Sequence, residues 1–192
     1  MPLSNMIEEQ IAKVLYTSQA IQARVKKLGE RISYDYSEGG LVRDPRGLPP
    51  ILVCVLRGAT MFMADLLRQL PIAVECDFIQ VASYGDGTAP GAVRLINDLD
   101  EAIQERDVLI VEDIVDSGYT INYLRRNLSA RKPASLRICT LIDKVSRRED
   151  PVDISYTGFV LEQNVFIVGY GMDYAGMYRN LPYIGLLKGE NG

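Results

Sequence analysis

The stretch from Val108 to Thr120, read Val-Leu-Ile-Val-Glu-Asp-Ile-Val-Asp-Ser-Gly-Tyr-Thr, constrains the fold more than any other part of the chain. Its first four residues are short, apolar and largely β-branched, and charge follows them, which is the pattern of a parallel strand buried on both faces. Glu112 and Asp113 stand at the carboxyl end of that run. In open α/β sheets ligands bind beyond the carboxyl ends of the strands, so acids placed there are candidates for ligand contact. Asp116, Ser117, Gly118 and Thr120 come next and open a helical pattern at Ile121, Leu124 and Leu128. A helix start offers unpaired N–H groups and the positive end of a dipole, and Gly lets a phosphate approach the backbone. The stretch therefore supplies carboxylates for a sugar or metal and a cradle for phosphate.

Around it, strand and helix patterns alternate. Ile51 to Leu56 reads as a strand and Ala59 to Leu70 as a helix, with Met61 and Met63 among its core residues. Val74 to Ala82 reads as a strand, followed by a Gly-rich segment with little apolar content and a return strand at Val93 to Ile96. By composition that segment is either a connection or a lid, since lids need such hinges. Ser135 to Ile142 is a strand leading to Lys144. Ser155 to Val160, Phe166 to Val168 and Ile184 to Leu187 are shorter strands. Near the amino end, Ile7, Ile11, Val14, Leu15, Ile21, Val25 and Leu28 approximate helical spacing, with a break near Thr17 and Ser18 and Gly29 as a stop. The alternation predicts an α/β fold with a mainly parallel sheet.

A chain of 192 residues, 47% hydrophobic, can bury one substantial core, and a single domain is expected. The net charge of -4 argues against a general nucleic-acid binder. There is no histidine, which excludes Ser-His-Asp and Cys-His nucleophiles and HExxH zinc sites. Acid–base work falls to Asp, Glu, Lys or Tyr. Cys54, Cys76 and Cys139 lie in or beside strand-like runs without metal-ligand spacing and are expected as reduced core thiols, as in a reducing cytosol. No apolar leader is seen and no segment approaches the ~18 consecutive apolar residues of a membrane span, so a soluble cytoplasmic protein is expected. GxxxxGK[ST] is missing, and Gly169-Tyr170-Gly171 continues to Tyr174 where a dinucleotide fingerprint needs a third Gly.

The 108–120 stretch resembles the phosphoribosyl diphosphate signature of the type I phosphoribosyltransferases, and its flanks resemble their hypoxanthine-guanine branch. Leu56-Arg57-Gly58 is similar to the family's pyrophosphate loop and Ser83-Tyr84-Gly85 to the start of its mobile loop. Lys144, Phe166 to Tyr170 and Asp173-Tyr174 resemble its purine site, and Tyr178-Arg179 its second pyrophosphate contact. Together these span roughly residues 50 to 188 in the family's order.

The resemblance implies the type I phosphoribosyltransferase fold, with a core over roughly residues 50 to 170 and a small hood from the N-terminal and C-terminal segments. It implies transfer of the phosphoribosyl group of 5-phosphoribosyl 1-diphosphate to a 6-oxopurine. In that reading Asp116 takes the proton of purine N7, and Ser117, Gly118, Tyr119 and Thr120 hold the 5'-phosphate. Tyr119 departs from the family's usual Lys or Asn, so only its backbone N–H is carried over. Glu112 and Asp113 meet the ribose hydroxyls directly or through Mg2+, with Asp173 as a further metal ligand. Leu56, Arg57, Gly58, Ser83, Tyr84 and Arg179 complete the diphosphate site, and the Leu56–Arg57 peptide is cis by analogy. Ile114, Lys144, Phe166, Ile167 and Asp173 form the purine site, Lys144 donating to the 6-oxo group and Phe166 stacking on the ring. Arg148 is assigned to support of the lid or the pyrophosphate loop. Relatives form dimers or tetramers. A xanthine-preferring enzyme and a non-catalytic regulator of the same fold that senses the ligand and binds RNA or DNA are the alternatives.

Overall fold

The computed structural model describes residues 10–37, 40–83 and 93–191. Its centre is a six-stranded sheet of order β4-β3-β2-β5-β6-β7, comprising β2 (Ile51–Leu56), β3 (Glu75–Ser83), β4 (Val93–Asn97), β5 (Asp107–Val115), β6 (Ser135–Lys144) and β7 (Tyr156–Leu161). All neighbours pair in parallel except β3 and β4. Helix α1 (Ser18–Ser37) and helix α2 (Thr60–Leu67) cover one face, and α3 (Tyr119–Ser129) covers the other. The apolar runs divide between these faces by strict alternation. Leu52, Cys54, Leu109, Val111 and Cys139 join the cluster under α1 and α2, whereas Ile51, Val53, Val55, Val108 and Ile110 join the cluster under α3. Burial on both sides is why these strands read as continuous apolar segments rather than alternating ones.

From β2 the chain steps to β3 on one side and later to β5 on the other. The carboxyl ends of β2 and β5, adjacent through the Cys54–Val111 pairing, therefore form the point where strand order diverges, which is where such sheets open a crevice. A second, antiparallel sheet of order β1-β9-β8 combines β1 (Ile11–Tyr16), β8 (Val165–Val168) and β9 (Ile184–Asn191).

Several expectations are corrected. From Ile11 onward the helical spacing is a strand followed by a helix that begins at Ser18, where a break was expected: β1 pairs with β9 through irregular register, so its apolar residues lack strict alternation. Residues 1–9 lie outside the described residues. Gly29 does not stop α1. It lies buried inside the helix, where a Cβ would come within 2.6 Å of Gln69 Cβ, so Gly is needed for close approach to the end of α2, and the apolar stripe continues to Ile32 and Tyr36. Strand β5 runs on to Val115 because Glu112, Ile114 and Val115 stay in the ladder with β6. Cys54 and Cys139 are buried, but Cys76 is exposed, since α1 and α2 lie over β2, β5 and β7 and leave the Cys76–Phe78 face of β3 uncovered. Met63 is in the core, whereas Met61, on the outward side of α2, is 44% exposed. Among the described residues no helix is long and apolar enough to cross a membrane.

Candidate active site

The functional residues gather at the carboxyl ends of β2, β5 and β6. After β5 the chain turns through Asp116, Ser117 and Gly118 into α3, with Gly118 at φ +96 as the residue preceding the helix. A Cβ on Gly118 would stand 2.2 Å from the carbonyl oxygen of Asp150. The contact arises because the carbonyl of Ser117 accepts N–H bonds from both Glu149 (3.0 Å) and Asp150 (2.9 Å), drawing the 145–150 segment against the turn. Arg148 fastens the same turn: its Nε donates to the Asp116 carbonyl at 2.9 Å, and Nη2 donates to the Val115 carbonyl at 2.9 Å and to Asp143. Among the described residues the side-chain partners of Arg148 all lie on β5, β6 and the turn between β5 and α3, and not on the pyrophosphate loop expected for it; the lid, its other expected partner, lies outside the described residues. The Tyr119 hydroxyl points away to donate to Glu149 at 2.8 Å.

Two adjoining hollows share this turn. One, of about 220 Å³, is lined by Glu112, Asp113, Ser117, Gly118 and Thr120 and opens on the start of α3. The other, about 180 Å³, is lined by Lys144, Phe166, Ile167 and Asp173, with Asp113, Ile114 and Asp116 common to both. Val165, Met172 and Arg147 complete its wall and were not singled out from the sequence. Arg147, three residues after Lys144, comes within 4.0 Å of Asp116 Oδ2. A cation in the turn after a ligand-bearing strand was the available signal for it. Phe166 is braced edge-on by Tyr174, with ring centroids 5.4 Å apart.

Lys144 is 3% exposed and its Nζ stands 3.5 Å from Asp116 Oδ2. The other oxygen, Oδ1, is buried and has no hydrogen-bond partner among the described residues. Burying an unpaired carboxylate oxygen is costly, so the Asp116 carboxyl, which lines both hollows, keeps unused hydrogen-bonding capacity.

The acid pair is more deeply buried. Glu112 and Asp113 are 8% and 7% exposed, and Glu112 Oε2 has no hydrogen-bond partner among the described residues. Burial and the neighbouring Asp113 carboxylate push Glu112 well above the usual carboxylate range, and burial also raises Asp113. A raised folded-state value means that the ionised form opposes folding: the contribution is favourable at low pH and is lost as pH rises through the folded pKa. Glu112→Gln should therefore stabilise the metal-free protein at pH 8 by about 1–3 kcal/mol, with the gain shrinking on acidification. Thermal unfolding in EDTA at several pH values measures this, and destabilisation throughout would contradict it.

The Leu56–Arg57 peptide is cis, and Arg57 is exposed. Gly58 lies so close to the acid pair that a Cβ there would meet Asp113 Oδ2 at 1.9 Å. Arg179 pairs with Asp173 Oδ1 at 2.6 Å and donates from its other terminal nitrogen to the Gly171 carbonyl. Asp173 Oδ2 accepts the Gly176 N–H. The backbone of Ser83 ends β3 beside this crevice, and Tyr84 with the rest of the 84–92 segment lies outside the described residues.

The phosphoribosyl transferase domain matches residues 16–175. The hypoxanthine-guanine phosphoribosyltransferase of Mycobacterium tuberculosis is 48% identical over 178 residues, covering 92% of this chain and 86% of the relative. A crystal structure of a hypoxanthine phosphoribosyltransferase from Staphylococcus aureus superposes with a TM-score of 0.85 at 38% identity, covering 97% of this chain and 96% of that one. A mutant of the Trypanosoma cruzi hypoxanthine phosphoribosyltransferase, complexed with the product IMP, superposes with a TM-score of 0.85 at 40% identity over 94% of this chain and 93% of that one. With its crevice at the divergence of β2 and β5, and with the family match spanning most of its length, the chain belongs to the phosphoribosyl transferase domain family.

Proposed function

We propose that this protein transfers the 5-phosphoribosyl group of 5-phosphoribosyl 1-diphosphate to N9 of hypoxanthine or guanine, releasing pyrophosphate. The observation that carries this reading is the Lys144–Asp116 pair, one carboxylate oxygen facing Lys144 and the other without a partner among the described residues, in a hollow walled by Phe166 and Ile167 and continuous with the Ser117–Thr120 turn. The purine stacks on Phe166, and the Lys144 ammonium donates to the 6-oxo group. Adenine presents an amino group there and is disfavoured by the unmatched donor. Asp116 takes the N7 proton as the N9 lone pair forms the bond to carbon 1' and the bond from carbon 1' to the pyrophosphate oxygen breaks, its electrons leaving with pyrophosphate. The N–H groups opening α3 and the Ser117 and Thr120 hydroxyls hold the 5'-phosphate. Arg57, Gly58 and Arg179 receive the pyrophosphate, Leu56 carries the loop, and Ser83 and Tyr84 contribute by resemblance to the family.

Glu112 and Asp113 suit Mg2+, which commonly binds one or two carboxylates together with substrate oxygens and waters. The partnerless Glu112 Oε2, and the upward push that burial gives both carboxyls, mark a pair awaiting a cation or the ribose hydroxyls. When bound, Mg2+ would neutralise charge on the diphosphate. Asp173, beside Arg179, would supply a further oxygen for a Mg2+ near the pyrophosphate. Assembly as a homodimer or homotetramer in the cytoplasm, with small-molecule substrates alone, belongs to the same reading.

Initial rates with Mg2+ and hypoxanthine, guanine, xanthine and adenine test it. Turnover is expected with hypoxanthine or guanine, with adenine slower by about 10²-fold or more and activity lost in EDTA. Preference for xanthine would move the assignment to that enzyme. No turnover with any base, in protein that binds the ribosyl substrate, would favour a sensing regulator.

A further inference from the structure

The turn at residues 169–172 touches the core at two places that the chemistry above does not use. Gly169 (φ +102), Tyr170 (φ +51) and Gly171 (φ +98) follow one another in left-handed conformations. Four backbone bonds pin the turn: Gly169 N–H to the Met172 carbonyl and Met172 N–H back to that of Gly169, Tyr170 N–H to that of Leu181 and Gly171 N–H to that of Arg179. A bulky aromatic residue at positive φ is an outlier that only over-determined surroundings maintain.

The first contact is backbone on backbone. A Cβ on Gly171 would lie 2.0 Å from the Gly58 carbonyl oxygen, so this turn rests directly on the loop after β2. The second is through the Tyr170 side chain, which is buried and donates its hydroxyl to Asp65 Oδ2 at 2.5 Å on α2. Asp65, also buried, takes further bonds from Gln22 of α1 and from Arg68. Burial and the Asp65 carboxylate push the Tyr170 phenol well above its usual value, which keeps it a donor. Helix α2 and the loop before it form one unit, because the N–H and Oγ1 of Thr60 both bond the Arg57 carbonyl, at 3.3 and 2.7 Å. At its far side the turn presents the Gly171 carbonyl to Arg179 Nη1 at 2.6 Å, and Arg179 holds Asp173.

We propose that Tyr170 and Asp65 are a positioning pair for the pyrophosphate half of the site, fixing the separation between the Arg57–Gly58 loop and the Arg179–Asp173 pair. Neither residue touches substrate. Charge-assisted hydrogen bonds between buried groups are strong and directional, so one bond through Asp65 sets how the turn lies on Gly58. Phe166 and Ile167 precede the turn on β8 and are seated by the pairing with β9, so purine binding depends less on it. This inference rests on the proposed function, which says what occupies the site.

Tyr170→Phe keeps the ring and removes the bond. It should raise KM for 5-phosphoribosyl 1-diphosphate about tenfold while KM for hypoxanthine changes by less than about twofold. Asp65→Asn keeps a carbonyl acceptor for the phenol and should stay within about threefold of the parent, and the double variant should be no worse than Tyr170→Phe. Calorimetric titration with inorganic pyrophosphate and Mg2+ gives a readout independent of turnover, with about tenfold weaker binding expected for Tyr170→Phe. A lowered melting temperature with unchanged pyrophosphate binding, or equal KM increases for both substrates, would overturn the positioning role. A parent protein that makes no nucleotide but binds pyrophosphate more tightly than Tyr170→Phe would refute the proposed function and leave the pair standing.

Discussion

Asp116→Asn is expected to cut kcat by about 10²- to 10³-fold while leaving affinity for 5-phosphoribosyl 1-diphosphate within about threefold of the parent. An amide preserves shape and still accepts hydrogen bonds, but it does not take the N7 proton as the N9 bond forms. The turn that holds the phosphate should survive, because its anchors are backbone groups. Arg148 binds the Asp116 and Val115 carbonyls, and Ser117 accepts from Glu149 and Asp150, whatever side chain residue 116 carries. Lys144 would then face an amide, so hypoxanthine affinity should shift modestly. Single-turnover rates with calorimetric binding of each substrate separate these effects. Equal losses in turnover and ribosyl-substrate binding would assign Asp116 to binding, and unchanged turnover would remove it from the chemistry.

How far the sequence foretold this depends on what each segment packs against. Strand β2 was readable to its last residue, Ile51 to Leu56, because burial on both faces leaves an uninterrupted apolar run bounded by polar chain. The start of α3 was readable because Gly followed by a helical stripe has few other uses. Strand β1 was not readable. Pairing with β9 on one side, with register shifts, gives its apolar residues no period-2 signature. The extension of β5 through Glu112 and Asp113 was hidden because buried acids in a strand contradict every propensity, and such local conflicts are characteristic of functional sites.

The site shows the same division. The residues named from the 108–120 stretch are contiguous, so they could be placed together without knowing the fold. Lys144, Phe166 and Asp173 come to the same hollow only because β6 lies beside β5 and β8 is folded across the crevice, and nothing in their spacing reveals it. They were named through the family resemblance. Val165 and Met172 belong to the same wall, yet each looks like an ordinary core residue in sequence. Tyr119 is the opposite case. Its position was anticipated, but its hydroxyl is taken by Glu149, leaving the backbone as its contribution to the turn.

Gly118→Ala should raise KM for 5-phosphoribosyl 1-diphosphate by about 10²-fold, with a smaller loss of global stability. Two separate costs coincide there. At φ +96 an L side chain is strained, by about 1–2 kcal/mol for a left-handed conformation, and the new Cβ would stand 2.2 Å from the Asp150 carbonyl oxygen. That oxygen belongs to backbone and has no rotamer to escape into. Asp150 is in turn held by its N–H bond to Ser117, so relief must come from moving the turn itself. Moving it shifts the N–H groups that open α3, and displacement of a binding element by about 1 Å is enough for a loss of this size. Asn122 anchors the first turn of α3 to the Pro151 carbonyl at 3.0 Å, so the helix body should hold while its first residues give way. Binding of the ribosyl substrate, measured beside hypoxanthine binding and thermal unfolding, reads the effect. A fall in melting temperature with intact ribosyl-substrate affinity would show that the 145–150 segment yields instead, and that the turn is not the rigid cradle its contacts describe.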